Sequence, residues 1–170
     1  LVNRKASEYA RSVYELCGLG AGGYEYTASA AEILLSTRDL FSVLVTGVFA
    51  PQSGGDAAAF AYTVNCDLTT VEFLGTKEIV SDYDGLKRLF LSGAFSPDFG
   101  YDAAPDDGEL QAMIGQYKEE YGIYPDFYFQ SGKLGILIET LPALGGYAGF
   151  TVDIGRAAPY LCTDRAGIAA

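Results

Sequence analysis

Residues 40–68, LFSVLVTGVFAPQSGGDAAAFAYTVNCDL, read as two strands around a turn. The first half, Leu40 to Phe49, is rich in β-branched and aromatic residues, which fit a pleated, half-buried surface. Pro51, Gly54, Gly55 and Asp56 then break the pattern with turn-forming chemistry. From Ala57 to Leu68 the residues alternate. Ala58, Phe60, Tyr62, Val64, Cys66 and Leu68 share one face, and Ala59, Ala61, Thr63, Asn65, Asp67 and Thr69 share the other. This spacing predicts a long antiparallel hairpin with its apolar side turned inward, its polar side outward, and helices covering the apolar side.

The same periodicities extend in both directions. Upstream, Tyr24, Tyr26 and Ala28, then Ile33 and Leu35, alternate with polar or small neighbours and predict strand pairing. Before them Val2, Ala6, Tyr9, Val13, Leu16 and Cys17 recur at helical spacing, and Gly18 and Gly20 end the predicted helix. Downstream, Ser81 with Asp84 resembles a capping box, and Leu86, Leu89 and Phe90 supply the stripe of a short helix. Pro105, Asp106, Asp107 and Glu109 open a further predicted helix through Leu110, Met113, Ile114 and Tyr117, closed by Gly122 and Pro125. Asp126 to Gln130 and Leu134 to Glu139, around Ser131-Gly132-Lys133, predict a second hairpin; a strand over Gly149 to Ile154 follows. Strands and helices do not alternate regularly. The expected fold class is α+β, a largely antiparallel sheet covered by helices on one face, with residues 1–170 forming a single domain.

Composition narrows the function. Nearly half of the 170 residues (49%) are hydrophobic, enough for a sizeable core. The chain carries 22 acidic and 11 basic residues, a formal net charge of -11, which repels phosphate backbones and attracts cationic partners. Nucleic acid is therefore not an expected partner. Histidine is absent, which removes Ser-His-Asp and Cys-His nucleophile pairs and any imidazole metal site. Cys17, Cys66 and Cys162 form no Cys-x-x-Cys pair; Cys66 is expected as a buried thiol, and a disulfide between Cys17 and Cys162 stays open. No run approaches the roughly 18 consecutive apolar residues of a membrane span, so a soluble chain is expected. It begins at Leu1 rather than Met, with no basic segment leading into an apolar stretch, so any signal or anchor is expected outside these residues.

Motif-bearing candidates each meet a plainer reading. Gly18, Gly20 and Gly23 satisfy a dinucleotide-binding spacing, but a predicted helix precedes them and a strand follows, the reverse of what pyrophosphate binding needs. They read as a helix-terminating loop, and no cofactor is expected. Asp98, Asp102, Asp106, Asp107 and Glu109 offer hard oxygen ligands without calcium-loop spacing, and read as a solvated, helix-capping loop with no metal. No two carboxylates stand out as a glycosidase pair, so no catalytic residue is assigned. The candidate binding residues are Gly54, Gly55 and Asp56 in the first hairpin loop and Leu141, Leu144 and Tyr147 in the loop after the second, where glycines permit turns or close approach of a ligand.

Gly54-Gly55, the run Tyr62 to Leu68, the segment Tyr83 to Phe90, the run Phe127 to Leu134, and Tyr147-Ala148-Gly149 followed by Phe150-Thr151-Val152 together carry a resemblance. Over roughly residues 24–161 the chain resembles the RsiV/PdaC-type extracytoplasmic domain of unknown function, shared by a lysozyme-responsive anti-sigma factor and the non-catalytic part of a peptidoglycan deacetylase. It departs in having Asp56-Ala57 after the two glycines, no glycine after Asp67-Leu68-Thr69, and Gly146 in place of a proline before Tyr147. The resemblance implies a non-catalytic, extracytoplasmic binding or sensor module of a bacterial cell envelope, at the cell surface or secreted. It further implies attachment, in the full protein, to a membrane helix, lipid anchor or catalytic domain. With the acidic balance, it makes a basic protein such as lysozyme, or a cell-wall component, the expected partner. The alternatives are a carboxylate-based cell-wall glycan hydrolase and a structural spacer.

Overall fold

The structure is a computed structural model and describes residues 24–51, 54–100, 126–140 and 146–162. The helices expected over residues 2–17 and 105–122 lie outside the described residues. In order, the chain forms β1 (Tyr24–Ser36), β2 (Leu40–Pro51), β3 (Ala58–Asp67), β4 (Glu72–Phe73), α1 (Thr76–Ile79), α2 (Tyr83–Leu89) and a wider helical turn, Phe90–Ala94. Then come β5 (Ser96–Gly100), β6 (Asp126–Gln130), β7 (Lys133–Glu139), β8 (Tyr147–Asp153), α3 (Ile154–Ala157) and a final 3-10 turn, Ala158–Tyr160. The fold is α+β. Its strands form two antiparallel four-stranded sheets, ordered β1-β2-β3-β4 and β5-β8-β7-β6.

The first hairpin forms as expected, from Leu40 opposite Asp67 to Phe49 opposite Ala58. Tyr24 to Ser36 is one long strand against β2, with register shifts between Tyr26 and Ala28 and between Ile33 and Leu35. Each shift increases local twist, which lets a 13-residue edge strand follow its neighbour. The second hairpin turns through Ser131 and Gly132, with Gln130 paired to Lys133 and Gly132 at φ +70°. β5 was not legible in the sequence: Asp98, expected in a solvated loop, stands in a strand.

The main core lies between one face of the second sheet and the short helices. Phe127 and Phe129 of β6, Leu134, Ile136 and Ile138 of β7, and Ala148, Phe150 and Val152 of β8 share that face. Leu86 of α2, with Phe90 and Phe95 after it, closes the face from above, and Phe90 meets Phe150 edge-on with ring centroids 5.3 Å apart. Helix α2 is capped by Asp82, not by the expected Ser81: its side chain accepts from the Gly85 N–H at 2.8 Å. Aspartate at this position satisfies an amide the helix cannot.

The other face of the second sheet is also covered. A smaller cluster gathers Tyr128 and Leu137 with Leu44 of the first sheet, edged by Phe99 and Tyr147. β7 therefore buries five consecutive residues, Leu134 to Ile138, the mark of a strand covered on both sides. Two glycines make this possible. A Cβ on Gly135 would meet the Tyr128 ring at 2.1 Å, and one on Gly149 would meet the Phe99 ring at 2.5 Å, so each aromatic lies flat on bare backbone.

Candidate functional site

The junction of the two sheets reverses the expected polarity of β3. Thr63, Asn65 and Asp67 are buried, whereas Phe60, Tyr62 and Val64 are half-buried on the other face. The reason is backbone chemistry. β6 is the edge of the second sheet, and its outward amide and carbonyl groups need partners once water is excluded. Thr63 Oγ1 donates to the Phe127 carbonyl at 2.7 Å, and Asn65 Nδ2 donates to the same oxygen at 2.5 Å. From β2, Ser42 Oγ accepts from the Phe129 N–H at 3.0 Å while donating to Asn65 Oδ1 at 2.7 Å. The polar face thus points inward because it completes an edge strand over 60 residues away.

Two carboxylates belong to the same region. Asp126 Oδ2 accepts from the Thr63 N–H at 3.1 Å; burial raises its pKa above 3.8, against the lowering effect of that bond. At the far end of β3, burial also opposes ionisation of Asp67. Hydrogen bonds from the Thr69 hydroxyl and amide and the Thr70 amide outweigh it and hold the carboxyl below its ordinary value. These bonds shape the turn into β4, where Val71 adopts φ +58°. A glycine would take that conformation without strain, and the motif lacks one here.

On the face of the second sheet that carries Tyr128, Asp98 Oδ2 accepts from the Tyr128 hydroxyl at 2.9 Å and from Gln130 Nε2 at 2.8 Å. Burial, then the Asp98 charge, push the Tyr128 phenol well above its ordinary pKa, so it stays protonated and donates. Asp98 thereby ties β5 to β6 across the sheet. Asp102, Asp106, Asp107 and Glu109 lie outside the described residues, and among the described residues no group of three acidic or cysteine side chains is placed to hold a metal ion.

Among the described residues, the last two positions of the second predicted loop, Gly146 and Tyr147, lie near the end of β3 that leads from the first loop. Gly54, Gly55 and Asp56 are exposed at the tip of the β2–β3 hairpin, with φ +84° and +153° at the glycines. Three residues after Asp56, Ala59 touches the second loop: a Cβ on Gly146 would stand 2.6 Å from the Ala59 carbonyl. Gly146, at φ +83°, accepts from the Thr140 N–H at 2.9 Å and so closes that loop. The Thr140 hydroxyl at its base is the one buried side-chain polar atom without a hydrogen-bond partner among the described residues. Tyr147 is half-buried, packed against Phe99 at 6.3 Å between ring centroids, so it closes the smaller core as well as edging the loop. Leu141 and Leu144 lie outside the described residues, as do Gln52 and Ser53. Cys66 is buried as expected, and Cys162 Sγ lies 3.7 Å from the Lys77 carbonyl; Cys17 is outside the described residues.

No helix among the described residues is long and apolar enough to cross a membrane. Compared with known proteins, the chain matches no protein-family model, and no curated protein matches it. The resemblance to the RsiV/PdaC-type domain rests on the motif residues themselves.

Proposed function

We propose that this chain is a non-catalytic binding or sensor module displayed outside the cytoplasm on a bacterial cell envelope, meeting a basic protein partner at its hairpin-tip end. The observation that carries the reading is the exposed Gly54-Gly55-Asp56 hairpin tip, with Gly146 in contact with Ala59 three residues beyond it. Loops held by a rigid scaffold are where binding surfaces concentrate. The net charge of -11 favours a cationic partner and speeds encounter with it.

Calorimetric titration with a basic lysozyme, at low and at physiological salt, tests the proposal. Micromolar or tighter binding that survives salt, and weakens at least fivefold in Asp56→Asn, is the expected result. Heat that vanishes with salt would reduce the acidity to a solubility feature and overturn the choice of partner.

A further inference from the structure

At the end of the molecule opposite the hairpin tip, the β1–β2 turn and the β6–β7 turn face each other across a cleft of about 310 Å³. Its floor is apolar: Leu40 and Phe129 at the bottom, with half-buried Leu35 and Ile154 beside them. Its rim is charged. Arg38 and Asp39 stand on one wall and Lys133 on the other. In a chain with twice as many acids as bases, two cations at one small cleft are unusual. None of these three side chains makes an ion pair with another described residue.

Both walls are fixed before any ligand arrives. Thr37 Oγ1 accepts from the Leu40 N–H at 2.9 Å and from the Asp39 N–H at 3.3 Å, and the Thr37 N–H donates to the Leu40 carbonyl at 2.9 Å, which locks the first turn. The Asp39 carbonyl accepts from the Leu68 N–H at 2.8 Å, tying that turn to β3. On the other side the Gly132 carbonyl accepts from the Ile154 N–H at 2.9 Å, which pins the second turn to the start of α3. A pre-shaped cleft of this size, near the roughly 300 Å³ lower bound of small-molecule sites, loses little entropy on binding.

We infer that this cleft binds a small zwitterion with an apolar side chain, an apolar amino acid or a short peptide with a free C-terminus. The carboxylate lies between Arg38 and Lys133, the ammonium or amide N–H meets Asp39, and the apolar group covers Leu35 and Ile154. The opposite charges on the rim select a ligand bearing both signs over a simple anion, because an anion alone would face Asp39 as well as the cations. This inference is independent of the partner proposed for the hairpin tip, and uses none of its residues.

The test is a titration of the isotopically labelled protein with the dipeptide leucyl-phenylalanine, followed by amide chemical shifts. The expected result is saturable movement of Arg38, Gly132 and Ile154 in the millimolar range or below, with the hairpin-tip amides still. The C-terminal amide of the same dipeptide should bind at least fivefold more weakly. Arg38→Gln and Lys133→Gln, both exposed and tolerant of change, should each weaken binding about fivefold, and Arg88→Gln on α2 should not. Lack of saturable shifts in the millimolar range, equal binding of acid and amide, or undiminished binding by the double variant R38Q/K133Q would each overturn the assignment.

Discussion

Replacing Ser42 with alanine removes one oxygen and leaves two buried groups without partners. Ser42 is fully buried; its hydroxyl accepts from the Phe129 N–H and donates to Asn65 Oδ1. Phe129 and Asn65 are themselves buried, at 2% and 4% exposure, so water does not replace the lost partner. Each orphaned group costs about 1–3 kcal/mol, so Ser42→Ala should destabilise the protein by about 2–6 kcal/mol. That is a large fraction of the roughly 5–15 kcal/mol by which a domain is stable. Urea unfolding followed by far-ultraviolet circular dichroism reads the change as a shift in midpoint at constant slope. Ser92→Ala, which removes an exposed hydroxyl bonded only to the Leu89 carbonyl, serves as the control and should stay within about 0.5 kcal/mol of the parent. Asn65→Leu combined with Ser42→Ala should cost at least about 1 kcal/mol less than the sum of the two changes, because the groups share one network. A Ser42→Ala protein within about 0.5 kcal/mol of the parent would refute the view that β2 and β3 complete the edge of β6.

Gly135→Ala drives a methyl group into the fully buried Tyr128 ring and should destabilise by about 3 kcal/mol, whereas Gly132→Ala, with open space around it, should cost only the strain of a left-handed turn, about 1–2 kcal/mol; thermal unfolding ranks them. Val71→Gly should raise the melting temperature, since it relieves about 1 kcal/mol or more of backbone strain at φ +58°. For Asp126 the folded carboxyl binds its proton more tightly than the unfolded one, so its contribution is fully present below pH 3.8 and is lost as pH rises through the raised folded value. Asp126→Asn should therefore gain stability over the parent at pH 7 and lose that advantage below pH 3.8, as measured by unfolding at each pH.

The candidate residues at the hairpin tip were legible in the sequence only in part. Gly54, Gly55 and Asp56 were legible as candidates because glycine beside an acidic residue between two strands is turn chemistry, readable locally. Their proximity to Gly146 was not, because the contact with Ala59 spans 87 positions of chain and depends on how the two sheets stack. Nor was the charged cleft, whose walls are two turns that no motif connects: each is an ordinary hairpin turn in sequence, and only the junction of the sheets sets them face to face. Asp98 was misread for a related reason, since Ser96 to Gly100 contains a proline and a glycine and becomes a strand only by pairing with β8.

By itself the sequence determined much of the local structure: the strands of the two hairpins and of β8, their antiparallel pairing through short turns, and a short helix starting just after Ser81. These follow from period-two alternation and turn residues, interactions between neighbours in the chain. Tertiary structure decided which face of β3 is inside. Alternation shows that a strand has an apolar and a polar face, and the apolar one is expected to be buried. Here Thr63 and Asn65 are drawn inward because the edge of β6 offers a carbonyl that must be bonded, and no local pattern in residues 57–68 records that demand.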